Sequence, residues 1–174
     1  MDERRTLRGI RFSLVALMLG LVISGITAFP LRLELGFASS VLHDSPLVAW
    51  FPDAVAWVDR VADALVDVDS RYPFISYGTD WLAFAHLVIA VVFIGPLVDP
   101  VRNIWVIQFG VIACVGIVPL ALIAGSIRGI PLGWQLIDIS FGVLGAIPAV
   151  IAWRLTRRLE RLRAEPAVAA TIAA

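Results

Sequence analysis

Residues 103–127, NIWVIQFGVIACVGIVPLALIAGSI, run for twenty-five positions without one charged side chain. A hydrocarbon core of about 30 Å is crossed by roughly 20 helical residues, so this stretch is long enough to span a bilayer. Three others match it: 12–31, 81–98 with only His86, and 129–153 with only Asp138. Lipid offers no partner to an unpaired backbone group, and none of the four alternates as a barrel strand does. The fold class expected is an all-α integral membrane protein, one membrane domain built as a bundle of four transmembrane helices.

Composition agrees. Of 174 residues, 60% are hydrophobic, and the mean hydropathy is +0.90. The 14 basic residues, all Arg, are balanced by 14 acidic ones, which argues against a nucleic-acid partner. Arg without Lys, beside abundant Ala, Val and Gly, suggests a GC-rich bacterial gene. One cysteine, Cys114, excludes an intrachain disulfide, a CxxC pair and a thiolate zinc site, and it reads as a small core residue.

The stretch 12–31 follows Arg4, Arg5, Arg8 and Arg11, as the apolar part of a signal peptide does. Its run is longer than such a segment needs and no A-x-A site follows, so it reads as a retained helix. Asp99 and Pro100 are expected to cap and open the third helix, Thr79 or Asp80 to cap the second, and Gly129, Ile130 and Pro131 to turn into the fourth. Trp81 and Trp134 then mark one membrane face, and Trp105 and Trp153 the other.

Arginine sets the orientation. With the N-terminus inside, ten arginines lie on the inner side and only Arg32, Arg60, Arg71 and Arg128 on the outer. The positive-inside bias predicts a multi-pass protein of the inner (plasma) membrane with both termini cytoplasmic, residues 154–174 forming a cytoplasmic tail. Arg154 to Arg163 read as a helix end that snorkels toward anionic headgroups, or as a protein-docking patch.

Residues 32–79 are more than a connection needs. From Pro30 to Asp80 eight acidic residues face three arginines, a net of −5. Phe51, Ala54, Val55, Val58, Val61, Ala62 and Leu65 recur at three- and four-residue steps, opposite Asp53, Arg60, Asp63 and Asp67. An extracytoplasmic amphipathic helix near 51–67, between the first two spans, is expected. Its acidic face suits docking on the protein better than on anionic lipid, either as a fixed cover or as a ligand-driven lid. His43 reads as a surface histidine without a partner.

Ionisable groups inside the membrane are costly and point to function. His86 and Asp138 lie five and four positions past Trp81 and Trp134, roughly 6 to 8 Å along helices of the same direction. Asp138 shares a face with Trp134, Gln135, Gly142 and Gly145, whose small residues allow close packing. Gln108 is a poorer partner, and Pro119 would leave the Val115 carbonyl free. Either His86 and Asp138 lock two helices together, or they form a pocket open to the outside with Arg32, Asp80 and Arg128 at its rim. The candidate ligand-binding or proton-relay residues are therefore His86, Asp138, Gln135, Asp80, Arg128, Arg32 and Trp134.

No metal site and no cofactor is expected: one intramembrane His falls short of a zinc set, and neither a phosphate loop nor G-x-S-x-G occurs. In architecture, though in no motif, four spans with His86 and Asp138 buried resemble the sterol-isomerase-type bundles of the EXPERA class; no residue is carried over. The expected role is binding a lipid or other amphipathic ligand, or a membrane partner protein, through the outer half. The alternative is acid/base enzyme chemistry on a lipid at Asp138 and His86. Membrane lipids, a membrane protein or a second copy of the chain are the expected partners.

Overall fold

A computed structural model describes the backbone of residues 2–172 and the side chains of residues 2–164. The chain is all-helical, 89% helix with no strands among the described residues. The helices are α1 (Glu3–Ala28), α2 (Leu31–His43), α3 (Leu47–Trp50), α4 (Pro52–Arg71), α5 (Pro73–Val92), α6 (Ile94–Val98), α7 (Ile104–Ile127) and α8 (Leu132–Ile172). Four segments are long and apolar enough to cross a membrane: Glu3–Ala28, Pro73–Val98, Ile104–Ile127 and Leu132–Ala164. The end of the expected 154–174 tail lies outside the described residues; Arg154 to Ile172 continue α8 as helix.

Two compact units divide the chain, one of Met1–Gly20 with Ala90–Ala174 and one of Leu21–Ile89. In the first, α7 packs along α8. Small residues set their distance: a Cβ on Gly142 would stand 2.8 Å from the carbonyl oxygen of Cys114, and one on Gly145 3.1 Å from its Sγ. Gly129, with φ +67°, makes the turn between them, while Ile130 N–H bonds back to Gly125 O at 2.9 Å, a C-cap only glycine adopts cheaply. This is the turn expected at 129–131. The unit's core holds Ile10, Leu14, Phe93, Ile107 and Leu159, all essentially inaccessible.

Helix starts differ from expectation at two places. Asp99 accepts from the N–H of Arg102 at 3.2 Å and stabilises a turn, so α7 opens four residues later at Ile104. Asn103 ties that turn down, its Nδ2 donating to Gly95 O and Asp99 O. Nor do Thr79 and Asp80 cap a helix, because α5 has already begun at Pro73, whose fixed φ suits a first-turn position. The α5–α6 break at Phe93 has a plain cause: in a continuous helix the ring of Pro96 would clash with the carbonyl four residues back, that of Val92, where α5 stops.

In the second unit α2 and α4 pack side by side. Bonds from Arg32 to Asp69, Ser39 to Asp59 and His43 to Asp59 span 37, 20 and 16 residues, a shrinking separation that makes the two helices antiparallel. Leu31, Leu35, Ala38 and Leu42 line the less exposed side of α2 at steps of four, three and four. On α4, Val55 and Val58 are buried and Ala62 and Leu65 half-buried, whereas Ala54 and the N-cap Phe51 are exposed. Each buried valine contributes roughly 1.5–3 kcal/mol. Also in this unit, a Cβ on Gly25 of α1 would come within 2.9 Å of the Ala83 carbonyl of α5.

Candidate functional site

Two sharp turns meet in the second unit. Phe29 and Pro30 separate α1 from α2, and Tyr72 separates α4 from α5. Antiparallel packing of α2 on α4 brings the start of α2 beside the end of α4, so both turns border one groove of about 380 Å³. Its polar lining is Arg32, Asp69, Ser76, Tyr77, Thr79 and Asp80. Leu31, Leu33 and Leu65 supply apolar wall.

The geometry explains the lining. Starting α5 at Pro73 turns Ser76, Tyr77 and Asp80 into residues of consecutive helical turns, with Asp80 roughly 10 Å along the helix. Arg32 Nη1 donates to Asp69 Oδ2 at 2.7 Å; the side chains are 54% and 39% exposed. A pair that open to solvent adds about 0–1 kcal/mol to stability. With Arg32 and Asp69 mutually neutralised, the carboxylate of Asp80 gives the groove a net charge of −1.

Tyr77 belongs also to a stripe along α5. Its ring meets Trp81 edge-on at 6.0 Å between centroids, and Trp81 meets Phe84 likewise at 6.4 Å. All three are more than half exposed, so an aromatic track leads away from the polar wall.

Of the residues expected at the site, the groove unites Arg32 and Asp80. His86 is on α5 too, but its position is roughly 120° around the helix from Asp80, and its Nδ1 bonds the carbonyl of Leu82 at 2.8 Å. The others belong to the first unit. Gln135 is buried in the α7–α8 turn, its Nε2 donating to Ile130 O at 2.8 Å and its side chain touching the Cβ position of Gly125. Its Oε1 is buried with no hydrogen-bond partner among the described residues. Asp138, one turn further along α8, and Trp134 are half-buried; Arg128 is the exposed C-cap of α7. Gln108 lines a smaller apolar groove of about 290 Å³ with Trp105 and Trp153.

Asp69, Ser76 and Tyr77 join the groove without being among the residues expected there. Recognising Pro73 as a helix start would have aligned Ser76 and Tyr77 with Asp80; Asp69 needs the partner helix. His43 also departs from expectation. Its Nε2 lies 2.9 Å from Asp59 Oδ2, while Ser39 Oγ donates to Asp59 Oδ1 at 2.6 Å. These contacts, Ser39 foremost, hold the Asp59 carboxyl below its ordinary value. The serine contacts the aspartate rather than the histidine, so the three are a helix clasp and lack the contact a nucleophile needs.

Compared with protein-family models, curated proteins and solved structures, the chain matches none. The architectural resemblance to EXPERA-type bundles thus brings no residue role or activity to this chain.

Proposed function

We propose that the chain is a multi-pass protein of a bacterial plasma membrane, with both termini cytoplasmic, that binds an amphipathic ligand in the groove between the Pro30 and Pro73 turns. Support for insertion comes from the four apolar segments, of which no more than 28% is buried within the protein. Side chains such as Phe12, Val98 and Ile127, 72–80% exposed, would be tolerated by lipid and not by water. The ten-to-four arginine split supports the orientation, which sets the groove and α4 on the outer side.

One observation carries the ligand reading: charged and apolar walls share a single groove at the end of two membrane-length helices. An amphiphile at an interface has that same division. Ligand sites are concave, with a few polar groups fixing orientation. The test is mass spectrometry of lipid that co-purifies with the protein in mild detergent. A stoichiometric intact lipid supports binding; an unoccupied protein contradicts it. Conversion of that lipid on incubation would instead favour acid/base catalysis, for which His86, with Nδ1 engaged by Leu82 O, offers Nε2 alone. Native mass in the same experiment reads whether a second copy or a membrane protein accompanies the chain.

A further inference from the structure

We infer that the groove recognises the primary ammonium of a zwitterionic amphiphile, with a phosphoethanolamine headgroup as the fitting chemistry. The inference rests on the amphiphile reading above and names its ligand class.

Charge decides first. Asp80 leaves the groove at −1, and the segment from Pro30 to Asp80 carries −5, so an anionic headgroup meets repulsion while a cation is attracted. The charge is also divided as a zwitterion requires. Arg32 has five N–H donors and commits Nη1 to Asp69, leaving others for a phosphate, and its fork suits that partner. Asp80, on α5, accepts N–H bonds from an ammonium, with Ser76 and Thr79 hydroxyls in the same wall.

Tyr77 adds an aromatic face that attracts cations. From it Trp81 and Phe84 continue at 6.0 and 6.4 Å spacings, giving the hydrocarbon tail a track down the same helix. A primary ammonium carries three N–H donors, whereas a trimethylated one carries none. Asp80 and the hydroxyls therefore discriminate between the two. A divalent cation is a poorer occupant: Asp69 is already paired, and two carboxylates fall well short of the six to eight oxygens calcium takes.

The test is native mass spectrometry of the full chain in detergent, titrated separately with short-chain phosphatidylethanolamine, phosphatidylcholine and phosphatidylglycerol. Expected is binding of the ethanolamine lipid about tenfold tighter than either other lipid, since one charge-assisted hydrogen bond is of that order. Asp80→Asn, with helix content and elution volume unchanged, should erase the preference. Asp53→Asn, on the exposed side of α4, serves as the unaffected control. Free phosphoethanolamine and dodecylamine separate the sources. A lipid ligand requires that the water-soluble headgroup bind far more weakly than the intact lipid, and that dodecylamine binding depend on Asp80 but not on Arg32→Gln.

Equal binding of all three lipids, lowered together by Asp80→Asn, would overturn the ammonium inference and leave the amphiphile groove standing. Lipid binding indifferent to both Asp80→Asn and Arg32→Gln would overturn the groove itself.

Discussion

Arg32 and Asp69, 37 residues apart in the chain, meet at 2.7 Å where the start of α2 lies beside the end of α4. The pair closes one end of an antiparallel helix pair and at the same time forms the charged wall of the groove. Both side chains are substantially exposed, so their mutual attraction is weak in water. A double-mutant cycle of Arg32→Ala and Asp69→Ala, followed by thermal unfolding in detergent, should return a coupling of about 0–1 kcal/mol. A coupling of several kcal/mol would mean that the pair is a buried stability element rather than a ligand-facing one.

A second contact between the same helices responds to pH. Because folding lowers the Asp59 carboxyl below 3.8, its contribution is complete above that value and is lost as pH falls through the lower, folded-state value. Hydrogen exchange over residues 52–71, corrected for intrinsic rates, should therefore change little from pH 7 to 5 and rise below about pH 4. Asp59→Asn should abolish that dependence. A profile identical to that of the parent protein would remove Asp59 as its cause.

Close packing of α7 on α8 makes a sharper stability prediction. Gly142→Ala inserts a methyl 2.8 Å from the Cys114 carbonyl and should destabilise by about 1–3 kcal/mol. Gly133→Ala, with nothing within 4 Å of its Cβ, should be neutral or stabilising by up to about 1 kcal/mol. Melting temperatures of the two variants check the ordering, and a reversal would contradict the packing.

Legibility in the sequence differs by residue. Gly129 to Pro131 were legible as a turn because glycine and proline act locally. Val55, Val58 and Leu65 marked α4 through their spacing alone. The α2 helix carried an equally good signal in Leu31, Leu35, Ala38 and Leu42, but the acidic, loop-like context of 32–79 hid it. Thr79 and Asp80 have side chains suited to an N-cap, yet the helix starts at Pro73, about two turns earlier. The Arg32–Asp69 wall could not be read from either residue, because only the register of two helices brings them together.

Topology is open to direct measurement. Reporter fusions at residue 164 and at residue 60 should report cytoplasmic and outer locations respectively, as the arginine split requires. In a Cys114→Ala background, single cysteines replacing Asp53 and Asp63 should label from outside and one replacing Val58 should resist, since Val58 is 4% exposed. A cytoplasmic reporter at residue 60 would place the groove on the other membrane face.

Occupancy by one amphiphile is proposed for the groove bordered by Arg32, Leu65 and Asp80. The most direct measurement is the count of lipids retained per chain by native mass spectrometry in the parent protein and in Leu65→Trp, which fills the groove, with circular dichroism verifying helix content. One lipid should be retained in the parent and lost, at preserved helicity, in Leu65→Trp. An unchanged lipid count in the folded Leu65→Trp protein would contradict it.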